Sequence, residues 1–337
     1  MLSNAVQPAN LVPVADTATT ARLEGVLARL RSLPQSEVKG NVTSWYRHLR
    51  AGNLSTNTQQ TYLEAMRQFI TYLVAQGMPQ TMAGIRREHA EAFVTALLES
   101  RSTSTAHNRY RAMRTFFRWC VEEGEVKDSP MARTKPPRLE LKSIPVLGMA
   151  DLDKLRKACE GTDFYARRDM AILHLFLSTG ARKSEVAMLR WSSNDPEACD
   201  VDLDRSMASI RGKGNRWRVV DLTPATVKSL DRYLKARAGH RDAGLPALWL
   251  GKRGPLSPSG VARAIEARAR EAGLGKVHVH QLRHSYVHFW LGAGGSETDL
   301  ARHVGWTSTA MAQRYAASAG EERARSMNRR VGLGARF

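Results

Sequence analysis

The chain has 337 residues, 42% of them hydrophobic, and its 51 Lys and Arg against 32 Asp and Glu give a formal charge of +19. This length and apolar content allow two domains, each with its own core, and exclude a wholly disordered chain. The cationic excess favours a polyanionic partner, nucleic acid ahead of an acidic membrane surface. Arginine dominates, with only 12 lysines among the 51 basic residues. A GC-rich genome would raise Arg, but codon bias alone does not leave the acidic residues so far behind. Cys120, Cys159 and Cys199 are widely spaced and form no CxxC pair. That argues against a disulfide framework or a structural zinc site and fits a reducing cytoplasm. No Lys or Arg precedes Arg22, so the charged start of a signal peptide is missing. The strongest apolar run, Met170 to Leu177, is interrupted by His174 and is far too short to span a bilayer. A soluble, cytoplasmic protein is expected.

Residues 1 to 38, with prolines at 8, 13 and 34, read as a partly disordered arm carrying one short helix from Thr20 to Ser32. From Val42 to Gly124 the pattern is helical. Thr56 with Gln59 has the form of a capping box, and Tyr62, Met66, Phe69 and Leu73 recur on one face behind it. Gly77 and Pro79 end that helix, and another covers Arg87 to Ser100. The helix from Ser104 to Glu123 carries two stripes. Tyr110, Met113, Phe116 and Cys120 are expected to face inward, while His107, Arg111, Arg114 and Arg118 line another side. A solvated basic stripe is common, but in a chain this basic a helix against DNA phosphates or in a major groove is the better reading. Lys127 to Pro145 holds Pro130, Pro136, Pro137 and Pro145 among basic residues and reads as an extended interdomain linker, its charge suited to crossing a DNA backbone.

The second half opens with helices at Met149 to Cys159 and, nearly all apolar, at Phe164 to Ser178, stopped by Gly180. A short β unit follows: Asp200 to Asp204 alternates, Met207 to Ile210 is extended, and Trp217 to Leu222 is β-prone, with Gly212-Lys213-Gly214-Asn215 turning between the last two. Helices resume at Pro224 to Ala238, Ser257 to Ala272, His280 to Gly292, Glu297 to Val304 and Thr309 to Ala316.

Four places in this half carry groups suited to phosphoryl transfer. The first is Thr179 to Glu185, where a glycine turn presents Arg182 at a helix start, its guanidinium able to grip two phosphate oxygens. The second is Lys213, flanked by glycines that let the backbone approach DNA, with an ammonium able to protonate a leaving alkoxide. Gly-Lys-Gly lacks the remaining spacing and the Ser or Thr of a nucleotide-binding phosphate loop. The third is His280-x-x-Arg283, which shares a helical face and can meet one phosphate. His278 and His280 have metal-pair spacing, but no Cys or carboxylate cluster accompanies them and Arg283 would repel a cation. The fourth is Trp306 with Tyr315. Each alone is more often a core or boundary residue. A phenol is a poor nucleophile at neutral pH, its pKa near 10, and becomes useful when neighbouring groups polarise an in-line phosphate.

Taken together the four places resemble the tyrosine recombinase and phage integrase family, over nearly the whole chain. Thr179 to Trp191 looks like its first arginine box, His280-Gln281-Leu282-Arg283-His284 like its second, and Gly305-Trp306 followed by Tyr315 like its nucleophile box. The resemblance implies a mainly α protein with a small antiparallel β-sheet, arranged as a C-shaped DNA clamp. Residues 39–126 would be a helical, SAM-like core-binding domain, 127–147 a linker, and 148–337 an α+β catalytic domain with a C-terminal tail. It implies that Tyr315 attacks the scissile phosphate and leaves a 3′-phosphotyrosyl link and a free 5′-hydroxyl. Arg182 and Arg283 would hold the non-bridging oxygens, Lys213 would be the general acid, and His280 would assist proton transfer. Trp306 would donate to the phosphate or buttress the site, and Glu185 would orient it. Many relatives have His where Trp306 stands. The family's usual interval to tyrosine selects Trp306 over His303, which is expected to point elsewhere, and His284 is expected to pack.

No cofactor and no metal are expected, because the covalent link conserves the phosphodiester energy and two guanidiniums supply the electrostatics. The partners implied are a double-stranded DNA core site, further copies of the chain up to a synaptic tetramer resolving a Holliday junction, and accessory directionality or bending proteins. The setting implied is a bacterial cytoplasm or nucleoid, or a host cytoplasm for an element carried by phage. Two rivals remain: a type IB topoisomerase, disfavoured by the helical N-terminal half and linker, and a DNA-binding regulator without catalysis, opposed by the intact residue set.

Overall fold

The computed structural model describes residues 17–139, 145–212, 214–306, 315, 328 and 329. The described residues divide into two compact units, one within 17–139 and the other within 145–329. No described helix is long and apolar enough to cross a membrane.

Among its described residues the first unit contains five helices, α1 (Thr17–Arg31), α2 (Glu37–Ala51), α3 (Thr56–Ala75), α4 (Arg87–Ser100) and α5 (Thr103–Glu122). Helix α3 touches the other four. Its Met66, Phe69 and Leu73 are fully buried, as the helical spacing predicts, and so are Met113, Phe116 and Cys120 of α5. Aromatic rings meet edge-on across the centre, Trp45 with Phe116 at 5.3 Å and Phe69 with Phe117 at 6.1 Å between centroids, the offset that ring quadrupoles favour.

Two expectations change here. The helix placed within a loose arm is built into this core, because Leu23, Val26, Leu27 and Leu30 fall on one face and are buried. The cap of α3 is Ser55, not Thr56. The Ser55 hydroxyl accepts from the Thr58 backbone N–H, while Gln59 Nε2 donates to the Leu54 carbonyl instead of closing a box. Two adjacent hydroxyl residues both fit the sequence pattern, and the extended backbone of Ser55 decides between them. Beyond α5, Met131 and Thr134 are buried and the Tyr110 hydroxyl donates to the Thr134 carbonyl. The beginning of the proline-rich segment is therefore packed on α5.

The second unit contains α6 (Met149–Ala158), α7 (Phe164–Thr179), α8 (Lys183–Ala187), α9 (Pro224–Ala238), α10 (Pro258–Glu271), α11 (His280–Gly292) and α12 (Glu297–Val304). Strands β1 (Val201–Asp202), β2 (Met207–Arg211) and β3 (Trp217–Asp221) form an antiparallel sheet in that order, and β4 (Leu250–Gly251) pairs with β5 (Gly254–Pro255). The strand expected over Asp200 to Asp204 is cut to two residues because the chain turns at Leu203–Ser206, where Ser206 takes a left-handed φ of 54°. The β4–β5 hairpin and the five-residue α8 were not foreseen, being too short to show a period. The helix expected from Thr309 to Ala316 lies outside the described residues except for Tyr315. Helix α7 is the hub. It packs against α9, α10 and α11, and Leu173, Leu175 and Phe176 lie in a core with Ile210, Leu230 and Trp249.

Candidate active site

The site begins where α7 stops. Gly180 takes a left-handed conformation, φ 57°, and its N–H donates to the Phe176 carbonyl. A side chain there is excluded twice, by the backbone and by the Tyr286 ring, which lies 2.4 Å from where a Cβ would sit. The reversal turns the chain straight into α8 with Arg182 at the capping position. Its backbone N–H donates to Glu185 Oε2 at 2.9 Å and its Nη1 to Glu185 Oε1 at 2.7 Å. Helix α8 is pinned from behind by Trp249, fully buried, whose indole N–H donates to the Val186 carbonyl.

Glu185 is 4% exposed. Burial alone would raise its pKa, but the hydrogen bond and charge of Arg218, then the bonds from Arg182, outweigh it and hold the carboxyl below the ordinary 4.5. Arg182 keeps about a third of its side chain exposed, so part of its guanidinium faces outward from the carboxylate that steadies it.

Arg283 joins this turn to the C-terminal helices. It projects from the first turn of α11, is 2% exposed, and donates through Nη1 to the Gly180 carbonyl at 2.7 Å and through Nη2 to the Val304 carbonyl at 3.2 Å. Burial, then the charges of Arg182 and Arg218, bring its pKa down to about 10. That still leaves it a cation at neutral pH. Its guanidinium carbon sits 5.4 Å over the Trp306 ring, and Trp306 in turn stacks on Tyr315 at 5.6 Å and 22°. Trp306 is placed by the left-handed cap of α12 at Gly305, φ 69°, and by its own N–H donating to the Ala301 carbonyl.

His280 opens α11. Burial, then the neighbouring Arg283, Arg182 and Lys183, push its pKa below 6.5, so it is neutral at pH 7. Its ring meets that of His284 edge-on at 4.4 Å. Tyr315 is buried at 2% exposure, and its hydroxyl is hydrogen-bonded to His284 Nδ1. Packing was expected for His284, and the structure instead pairs it with the phenol. The missed signal was helical: His280 and His284 are four residues apart and share a face.

The structure thus brings Arg182, Glu185, His280, Arg283, Trp306 and Tyr315 into one connected set. Lys213 lies outside the described residues. The hairpin around it is closed by the Gly212 N–H donating to the Arg216 carbonyl at 2.7 Å. The His303 ring stacks on Tyr286 and Trp290 at 5.5 and 5.3 Å, and burial, then the nearby charges of Arg218 and Arg283, lower its pKa. In the other unit Arg111, Arg114 and Arg118 are exposed along α5, whereas His107 is half-buried with Nδ1 on the Pro137 carbonyl at 3.0 Å. Among the described residues no group of three or more His, Cys, Asp or Glu is placed to hold a metal ion. His278 sits apart from the set, 3.8 Å from Glu266. Sequence reasoning also missed Arg218 on β3, which donates to Glu185 Oε2 at 2.7 Å.

Residues 146–322 match the Phage integrase family, and residues 42–125 match the phage integrase N-terminal SAM-like domain. The tyrosine recombinase XerC of Xylella fastidiosa (strain 9a5c) is 31% identical over 261 residues, covering 75% of this chain and 84% of that one. Among solved structures, the XerH site-specific recombinase bound to a palindromic difH substrate aligns over 97% of this chain and 99% of that one, with TM-score 0.66 and 17% identity. A lambda integrase tetramer bound to a Holliday junction aligns over 86% of this chain and 80% of that one, with TM-score 0.64 and 17% identity. At such identity these two establish a shared fold: a SAM-like helical domain followed by a mostly helical catalytic domain with small antiparallel sheets.

Proposed function

The chain belongs to the Phage integrase family, and on that premise we propose that it is a site-specific DNA recombinase in which Tyr315 breaks and rejoins strands. The Tyr315 oxygen bonds to the scissile phosphorus as the bond to the 5′-oxygen breaks, giving a 3′-phosphotyrosyl link. The phenol gives up its proton and the departing 5′-oxygen receives one from Lys213. Arg182 and Arg283 hold the non-bridging oxygens, and the neutral His280 assists proton transfer. Trp306, stacked between Arg283 and Tyr315, buttresses the nucleophile. Religation reverses these steps and needs no ATP, because the phosphotyrosyl link keeps the energy of the bond it replaced.

The observation that carries this reading is the bridge made by Arg283. One buried guanidinium ties the turn that presents Arg182 to the end of α12 and faces the ring stacked on Tyr315. Attack requires the Tyr315 hydroxyl to leave His284 for phosphate. In this reading residues 39–126 bind the core site, with Arg111, Arg114 and Arg118 of α5 meeting phosphates. Residues 127–147 link them to the catalytic residues 148–337. The partner is double-stranded DNA, bound by several copies of the chain, a stoichiometry supported by the assembly of the lambda integrase neighbour on its junction. The test is to incubate the protein with element or host DNA in EDTA, trap SDS-resistant adducts and sequence their ends. Adducts at a defined site, lost in Tyr315→Phe, are expected. A strict need for a divalent metal would overturn the mechanism, and relaxation of supercoils by a monomer at many sequences would point to topoisomerase activity instead.

A further inference from the structure

Arg218 occupies a position where chemistry and fold disagree. In β3 it pairs in register with Ile210, on the sheet face that buries Ala208, Ile210 and Val220. An inward strand position of this kind ordinarily takes an apolar side chain. Here it holds an arginine whose side chain is 11% exposed, close enough to Arg283 for the two charges to oppose each other. Placing a third arginine beside Arg182 and Arg283 is unfavourable unless it answers a specific need.

Three contacts define that need. Its Nη2 donates to Glu185 Oε2 at 2.7 Å, the same oxygen that takes the Arg182 backbone N–H, while Oε1 takes Arg182 Nη1. Its Nη1 lies 3.5 Å from where a Cβ on Gly212 would sit, next to Lys213. Its Nη1, Cζ and Cδ lie 2.9, 3.4 and 3.5 Å from where a Cβ on Gly305 would sit, next to Trp306. One flat group therefore pairs with the carboxylate that steadies Arg182, lines the space beside Gly212 in the β2–β3 hairpin, and fills the space that a side chain would need at Gly305, in the cap that places Trp306. Three guanidiniums against the single carboxylate they surround leave two positive charges, the balance that suits a phosphate gaining negative charge as it becomes five-coordinate.

We propose that Arg218 is a positioning residue for strand cleavage: it neutralises Glu185 Oε2 so that Oε1 can aim Arg182 at the phosphate, and it fills the space between Gly212 of the β2–β3 hairpin and the Gly305–Trp306 cap. This rests on the recombinase reading above. Arg218 does not itself touch the phosphate, so its effect runs through the rate of bond breaking and not through affinity for DNA.

The test uses the full chain and a nicked duplex bearing the site recovered from the wild-type adducts, with single-turnover adduct formation, duplex affinity and melting temperature measured side by side. Arg218→Met is expected to slow adduct formation about 100-fold, with affinity changed less than about threefold. Arg218→Lys keeps the charge but not the planar fork and is expected to recover about tenfold of that loss. In a Glu185→Gln background, where no carboxylate charge needs neutralising, adding Arg218→Met should cost less than about fivefold more, because the two residues act as one unit. Rates and affinity that fall together, or losses that multiply independently in the double variant, would overturn the proposal and leave Arg218 a brace of the fold. If Arg218→Met does not fold, the lysine variant and the double variant decide it on the same criteria. Absence of adducts from the wild-type protein, or their survival in Tyr315→Phe, would instead count against the recombinase reading itself.

Discussion

Both units have apolar cores, and they differ in what is buried beside them. At the centre of the N-terminal unit Trp45, Phe69, Phe116 and Phe117 pack ring against ring, and Arg111, Arg114 and Arg118 of α5 stay outside. Lys39 is buried there, yet its ammonium donates to the carbonyls of Arg31 and Leu33 at the end of α1 and is fully committed to the fold. In the second unit an ionic cluster of Glu185, Arg218 and Arg283, nearly removed from water, adjoins the apolar group of Val287, Leu291, Leu300 and Val304 that packs with Tyr315. Burial of ions is not itself the sign of a site. Arg237, also buried, commits four of its five N–H donors to the carbonyls of Ala243, Leu245, Ala247 and Leu248. Arg182 differs: one nitrogen is held by Glu185 and about a third of the side chain faces solvent. The difference teaches that a functional cation is one that is oriented but not saturated.

The contrast predicts which substitutions act on chemistry and which on stability. The largest effect is expected for Arg283→Ala, which removes the proposed phosphate ligand and the donor to both the Gly180 and Val304 carbonyls. Adduct formation on a nicked duplex should fall by about 10³-fold, and a variant within tenfold of wild type would break the comparison. Next comes Phe116→Ala in the ring-built core, which should cost about 3–5 kcal/mol in urea unfolding. Its cleavage rate at saturating DNA, measured where the protein is folded, should match wild type.

Acid offers a third probe. Burial is the leading cause that holds His174, His280 and His303, all in the second unit, below their ordinary 6.5. A folded state that resists protonation binds fewer protons than the unfolded chain, so its stability is complete above about pH 6.5 and declines as pH falls through the lowered values. The melting temperature of the second unit should therefore drop between about pH 6.5 and 5, and cleavage should drop with it as His280 becomes charged. A melting temperature that rises in that window would reverse the assignment of neutral histidines. The smallest effects belong to Arg111→Ala, Arg114→Ala and Arg118→Ala. These exposed side chains should leave the urea midpoint unmoved, while each substitution reduces the salt dependence of DNA affinity by about one ion.

Most of the helical framework was legible because its signals are periodic. The spacing of Met66, Phe69 and Leu73 or of Tyr110, Met113 and Phe116 maps directly onto buried faces. The site was legible where its residues are close in sequence, as with His280 and Arg283, or where a turn residue announces them, as Gly180 does for Arg182. What stayed hidden depends on contacts between distant residues. Arg218 reads as one more basic residue on a strand until the register with Ile210 puts it on the inner face. The bond between His284 and Tyr315 spans 31 residues, and the packing of α1 depends on a partner, α3, that local pattern does not reveal.

The central claim is that Tyr315, stacked on Trp306 and hydrogen-bonded to His284, is the group that becomes joined to DNA. Mass spectrometry of the peptide–nucleotide product from an SDS-trapped adduct tests it most directly. A phosphodiester on the Tyr315 oxygen carrying a 3′ DNA end is the predicted result; attachment to another residue, or through a 5′ end, would contradict it.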